Sequence, residues 1–217
     1  MAENRQDNEG YRLFREALQA GTIKAGMIVT QNELCDLLGL SLSPLRETLV
    51  LLEEFGLVEI KPRTGIRIVY PEVAFIRENF QFRSMIEMHA LTTFGDQVSA
   101  DWLASMRAGH EECMAELAGD TPFEPAQSRI LTLDRKLHRD IVSLLDNQAI
   151  LATHARLQDN LSMARRVHQR SVFRGQLIST VGEHMRIIDS LEQRDIAGAV
   201  ANLEAHFRAS THRTFAV

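Results

Sequence analysis

The hydrophobic period of this chain changes at Gly56, and that change narrows the possible folds more than any other feature. Upstream lies TQNELCDLLGLSLSPLRETLVLLEEFGLV, from Thr30 to Val58. Leu34, Leu37 and Leu38 recur at helical spacing, and Gly39 then stops the first helix. Ser41 and Ser43 are candidate N-caps for a second helix, and Pro44 fits its first turn. Leu45, Leu49 and Leu52 mark the buried face of that helix, while Arg46, Glu47 and Val50 lie on other faces. The pattern suits a helix-turn-helix that reads DNA, and it also suits an ordinary helical hairpin in a core. Downstream of Gly56 the period is two. Leu57-Val58-Glu59-Ile60 and Ile66-Arg67-Ile68-Val69 flank the turn Pro62-Arg63-Thr64-Gly65. A β-hairpin directly behind the helix pair makes a winged helix, and its turn carries Arg63, a cation suited to a minor groove.

The expected fold class is mainly α. A winged helix-turn-helix with a small β-hairpin occupies residues 1–71, and an antiparallel α-helical bundle occupies residues 72–217, with Pro71 as the boundary. Residues 1–8 are polar and expected to be disordered. Tyr11, Phe14 and Leu18 outline a first amphipathic helix ending near Gly21. Beyond Pro71 there are no strand signals. Helical patterns run over Val73–Val98, Ala100–Leu117, Pro125–Leu145, Gln148–Val172, Leu177–Gln193 and Ile196–Thr214, six helices for which a bundle is the economical packing.

Charge limits how such a chain can hold DNA. Residues 1–71 carry 8 Lys and Arg against 10 Asp and Glu, a balance of −2. Affinity therefore has to come from a local patch and helix N-termini rather than from a basic surface. Cys35 and Cys113 lack metal-type spacing and read as free thiols in a reducing compartment. No secretory leader is expected from the polar Met1–Asn8, and no apolar run is long enough for a bilayer, so the expected location is the cytoplasm.

Several polar residues fall on apolar helix faces. Asp134 and His138, four apart, share a face with Ile130, Ile141 and Leu145. His184 shares one with Leu177, Val181, Ile187 and Ile188, and His206 lies beside Leu203 and Phe207. Buried polar side chains need partners. Aspartate and imidazoles converging from several helices make a divalent metal site, for which zinc, nickel, manganese and iron are all suitable. The remaining histidines, His89, His110, His154, His168 and His212, form no such set. Arg83 and Glu87 share a stripe with Phe80 and Ala90. They read either as an ion pair at the bundle edge or as a fork, Arg83, for a ligand carboxylate. Arg165 and Arg166 are similar candidates.

These pieces resemble a known family. Ile23-Lys24-Ala25-Gly26, Glu33-Leu34, Leu38-Gly39, Ser41 to Glu47, Leu49, Leu52-Glu53, Gly56-Leu57-Val58 and Gly65 are similar to the GntR-family winged helix. Arg83 with Glu87, Asp134-x-x-x-His138, Glu183-His184 before Ile187-Ile188, and the closing Asn202-Leu203-Glu204-Ala205-His206, with the family's small residue near Ala201, resemble the FCD domain of its FadR branch, in the six-helix VanR-like form. The resemblance implies a homodimeric bacterial transcription regulator on a palindromic operator, with no membrane association. It further implies a small carboxylate effector bound near a metal, zinc first. Asp134, His138, His184 and His206 become metal ligands, and Arg83 and Arg165 become effector contacts. Asn32, Ser41, Leu42, Ser43, Arg46, Arg63, Thr64 and Gly65 become DNA contacts. The family often has arginine where this chain has Leu42; a leucine can pack against a thymine methyl but cannot read guanine.

Two other readings remain at this point. The metal could activate water in a hydrolase, although no general base stands beside the ligands and Glu183 is expected to point away from His184. Alternatively, the metal could simply tie the bundle together.

Overall fold

In a computed structural model, residues 9–69, 73–119, 122–168 and 173–215 are described. Residues 1–8 and the Pro71 boundary lie outside them. The chain forms two compact units, Met1–Ile76 with Asp159–His168, and Arg77–Gln158 with Gln169–Val217.

In the first unit, helices α1 (Glu9–Ala20), α2 (Gln31–Leu38) and α3 (Leu42–Glu54) accompany strands β1 (Ile28–Val29), β2 (Val58–Lys61) and β3 (Gly65–Ile68). Helix α2 starts on a capping box: the Thr30 hydroxyl accepts from the Glu33 amide, and the Glu33 carboxylate accepts from the Thr30 amide. Gly39 ends it in the left-handed region, φ 65°. Ser41 occupies the N-cap position of α3, but its side chain makes no capping bond. The capping hydroxyl expected there is found one helix earlier, at Thr30.

The sheet is antiparallel with order β1-β3-β2. The hairpin pairs Val58 with Ile68 and Lys61 with Gly65, and β1 adds Ile28 opposite Arg67 and Val29 opposite Ile66. β1 has two residues, too few for any period to show. Gly65 has φ 113°, and a Cβ there would stand 2.8 Å from the Val29 carbonyl oxygen. The backbone thus demands glycine at this position whatever the wing touches. The core gathers Phe14, Ile23, Leu34, Leu45, Leu49, Leu52, Leu57, Ile66 and Ile68. Helix α1 crosses α3 so closely that a Cβ at Gly10 would sit 2.0 Å from the Thr48 hydroxyl oxygen.

The remaining helices are α4 (Val73–Phe94), α5 (Ala100–Ala118), α6 (Phe123–Ser143), α7 (Gln148–His168), α8 (Arg174–Glu192) and α9 (Ile196–Phe215), all in the second unit except residues 73–76 of α4 and Asp159–His168 of α7. α4 ends four residues before the expected Val98, replaced by a 3-10 turn over Gly95–Gln97. Short polar side chains start three helices. Ser99 accepts from the Trp102 amide, Asn147 from the Ala149 and Ile150 amides, and Asp195 from the Gly198 amide. Helix α8 packs on α5, α6 and α9. That arrangement brings the apolar stripes of four helices, and the polar residues embedded in them, toward one another. No helix is long and apolar enough to cross a membrane among the described residues.

Candidate functional site

Asp134 and His138 from α6, His184 from α8 and His206 from α9 converge, all buried, with one ligand atom of each within 4.8 Å of the others. Asp134 Oδ1 lies 3.7 Å from His138 Nε2 and 3.4 Å from His184 Nε2. The His184 and His206 ring centroids are 4.6 Å apart, and those of His138 and His206 are 5.1 Å apart. Donors held about 2 Å from a cation stand at most about 4 Å from one another. The observed spread closes on an ion with small side-chain adjustments.

Each imidazole is held from outside through its Nδ1. His138 Nδ1 meets Glu87 Oε2 of α4 at 2.5 Å. His206 Nδ1 meets Glu183 Oε2 at 2.8 Å, and His184 Nδ1 meets His110 Nε2 of α5 at 3.0 Å. The Nε2 atoms of His138 and His184 are buried and have no hydrogen-bond partner. An unmet buried polar atom costs about 1–3 kcal/mol, and a cation among the four residues removes that cost twice over. The donor set, its separation and the two orphaned nitrogens all fit a divalent metal ion.

The supporting shell is charged. Glu87 is fully buried and takes the Arg83 Nε at 2.7 Å and the His154 Nε2 of α7 at 2.7 Å. Glu183 receives both terminal nitrogens of Arg213, at 2.6 and 2.7 Å. Burial pushes the Glu87 carboxyl up, but the charges of His138 and Arg83 and the imidazole hydrogen bonds outweigh it and hold Glu87 well below the ordinary range. Glu183 is likewise pushed up by burial and pulled down to about 2 by Arg213 and His206. Burial drives His206 to about 3 and His110 to about 4. It also lowers His184 and His154. For His138, burial and Arg83 push down, yet Glu87 and Asp134 prevail and its pKa rises.

These contacts correct several sequence expectations. Arg83 and Glu87 are not a pair at the bundle edge; they are 3% and 0% exposed. Arg83 Nη2 is buried without a partner, and its guanidinium stands over the Phe207 ring. His110 and His154, set aside as scattered, both join the cluster's surroundings. A signal for them existed: His110 continues the buried stripe of Leu103, Met106, Cys113 and Leu117, and His154 precedes buried Leu157 and Leu161 at helical spacing. Glu183, expected to point away from His184, accepts from His206 and Arg213, a role in the cluster's surroundings that its spacing did not suggest. The Arg165 side chain lies outside the described residues.

On the first unit, α3 turns Leu45, Thr48, Leu49 and Leu52 inward and leaves Ser43, Arg46, Glu47 and Val50 exposed, with Leu42 41% exposed. Ser41 and Asn32 are exposed as well, as are Arg63 and Thr64 at the hairpin turn, where Arg63 adopts φ 66°. Arg46 Nε reaches Gln31 Oε1 at 3.4 Å, a link between the two helices that the sequence reading missed.

Two protein families match this chain. The FCD domain family matches residues 78–209, and the gntR family of bacterial regulatory proteins matches residues 8–68. The HTH-type transcriptional regulator YdhC of Bacillus subtilis (strain 168) is 24% identical over 91% of this chain and 85% of its own length. An HTH-type regulator from an unstable DNA locus of Streptomyces ambofaciens is 24% identical over 95% of this chain and 83% of its own. Among solved structures, E. coli McbR/YncC shares the fold with a TM-score of 0.73 and 17% identity, over 96% of this chain and 95% of that one. The metal-free FCD domain of TM0439 aligns with a TM-score of 0.55 and 19% identity, over 66% of this chain and 94% of that one. The matching families and the two HTH-type relatives are regulators and not enzymes, which does not favour the hydrolase reading. The chain belongs to the GntR/FCD family of bacterial transcription regulators, with a DNA-binding winged helix and a helical FCD domain.

Proposed function

We propose that this regulator binds a palindromic operator as a homodimer and that a small carboxylate, bound at a divalent cation in the bundle, releases it. The observation that carries the reading is the convergence of Asp134, His138, His184 and His206 around two orphaned ring nitrogens, beside an arginine with an orphaned Nη2. In this reading the four residues hold the cation, zinc first, and Arg83 engages the effector. When bound, the cation supplies positive charge and coordination positions for an anion.

Charge supports an anionic effector. With neutral imidazoles, the state a metal ligand requires, Asp134, Glu87 and Glu183 against Arg83 and Arg213 give a formal balance of −1. A dication brings that to +1, and a monocarboxylate brings it to zero. The chain's own residues then orient the anion through Arg83 and exclude water by burial. DNA release follows only if the effector prefers one conformation of the protein over another.

On the DNA side, Arg46 is assigned to base edges or phosphates. Ser41, Ser43 and Asn32 are assigned to the start of the recognition surface, and Arg63, Thr64 and Gly65 to the wing. Leu42 offers an apolar contact to a thymine methyl, so the operator departs from an arginine-read core.

The test combines thermal shift with operator binding by fluorescence anisotropy. Zinc is expected to raise the melting temperature, and a matching carboxylate to raise it further only with zinc present. The same carboxylate should weaken operator binding. A melting temperature indifferent to zinc and to chelator would sink the metal half. The near-complete burial of His138, His184 and His206 favours one second reading, a purely structural cation. Global unfolding on chelation, with no carboxylate response, would select it.

A further inference from the structure

His110 is the outer partner of His184, and the hydrogen-bond chain running through it has a direction. At one end, His110 Nδ1 lies 2.7 Å from the main-chain oxygen of Met106, one turn earlier in α5. A carbonyl oxygen only accepts, so that nitrogen carries the hydrogen. A neutral imidazole has one N–H, which leaves His110 Nε2 as an acceptor. The atom facing it, 3.0 Å away, is His184 Nδ1, which must therefore donate. His184 is thereby fixed in the tautomer whose Nε2 has a bare lone pair, and that Nε2 is a buried atom without a partner, 3.4 Å from Asp134 Oδ1.

From this geometry we infer that His110 is a positioning residue: it holds His184 in the tautomer that can ligate a metal ion. The inference rests on the metal reading above. Without His110, the hydrogen of His184 is free to move to Nε2 and bond to Asp134. That tautomer ties the two groups to each other and withdraws a nitrogen and an oxygen from the site at once. The two other imidazoles need no such device, because each Nδ1 faces a carboxylate, Glu87 or Glu183, that can only accept. His184 has a neutral ring in that place, and a ring's direction is set by its own far side, here the Met106 carbonyl. His110 is not a fifth ligand, since both of its nitrogens are occupied away from the centre.

The experiment uses the full chain. Imidazole tautomers are read by long-range nitrogen–proton NMR in the metal-free protein, and zinc affinity is read by competition with a chromophoric chelator. The variants are His110→Phe, which keeps a ring but loses the acceptor, and His110→Gln, whose side-chain oxygen can accept from His184. The metal-free parent is expected to show His184 protonated on Nδ1, and His110→Phe to show it on Nε2. Zinc affinity should fall by about 10–100-fold in His110→Phe and recover to within a few-fold of the parent in His110→Gln.

A parent that binds zinc no more tightly than His110→Phe does overturns the inference and leaves the metal reading standing. Nε2 protonation of His184 in the parent overturns it without any variant, so a His110→Phe protein that fails to fold leaves the question decidable. A parent that takes up no zinc overturns the metal reading, and this inference with it.

Discussion

Residues 9–69 and the helical bundle treat polar side chains in opposite ways. Between residues 9 and 69, Thr48 is the one buried polar or charged residue among those described, and the functional candidates stand outside on α3 and the hairpin turn. The bundle buries Arg83, Glu87, His110, Asp134, His138, His154, Glu183, His184 and His206. In residues 9–69 the core and the candidate reading surface are separate, so a surface residue can change without loss of packing. In the bundle the candidate metal ligands are themselves part of the buried core. Removing one partner there leaves another charge or ring nitrogen buried and unmet, which costs more than the contact contributed. The exposed residues of α3 are therefore expected to tolerate single changes, and those of the bundle centre to tolerate change only as a set.

Several experiments would break or sharpen this contrast. The single tryptophan, Trp102, lies on α5 and donates to Asp140 at 2.7 Å, so its fluorescence reports the bundle alone while circular dichroism reports both units. The largest effect is expected from Glu87→Ala, which strips Arg83, His138 and His154 of a shared buried acceptor. The Trp102 transition in urea should lose about 3–5 kcal/mol. A loss under about 1 kcal/mol would show that water or rearrangement replaces the carboxylate. Next comes acid. His206 and His110 titrate near 3 and 4 when folded and near 6.5 when unfolded. The unfolded state holds the extra protons in that window, so stability falls as the pH drops from about 6.5 toward 3. His184 and His154 act in the same direction, while His138, raised rather than lowered, acts against them. Metal-free melts followed at Trp102 should fall across this range, and the increment gained from zinc should shrink with them as protons compete for the ligands. A flat profile would mean the imidazoles are hydrated rather than buried.

On the DNA-binding side the effects are smaller and of another kind. Arg46→Ala should leave both unfolding transitions within about 0.5 kcal/mol and weaken operator binding by about 1–3 kcal/mol. A stability loss equal to the binding loss would erase the separation of core and surface. The smallest effect distinguishes two hydroxyls. Thr30→Ala removes a formed capping box and should cost about 1 kcal/mol, seen by circular dichroism and not by Trp102. Ser41→Ala, with no capping bond to lose, should cost less than Thr30→Ala while reducing operator affinity.

Local spacing made much of this legible. The change of period at Gly56, the stop at Gly39 and the four-residue step from Asp134 to His138 are one-dimensional signals, and each has its counterpart in the fold. The metal-type cluster itself was reachable because each ligand interrupts an apolar helical stripe. Apart from the four-residue step from Arg83 to Glu87, the supporting shell was not, because its bonds join different helices. Glu183 meets Arg213 and His206 from another helix, and His184 meets His110 across 74 residues. Nothing in the periodicity of α8 says which side of His184 its neighbour Glu183 will face. Strand β1 was missed for a different reason, since two residues pair with β3 only because the hairpin presents an edge.

The close approach of α1 to α3 bears on how this chain can vary between relatives. With 2.0 Å between a Cβ at position 10 and the Thr48 oxygen, and 2.9 Å to the Thr48 Cβ, alanine at position 10 collides even with alanine at position 48. The two sites should therefore covary: any homologue with a side chain at position 10 is expected either to have glycine at position 48 or to cross the two helices at a greater distance. Because α3 carries the candidate reading residues, such a homologue would also present a displaced recognition helix. The residue at position 10, remote from the reading face, would then mark which relatives share this chain's docking geometry.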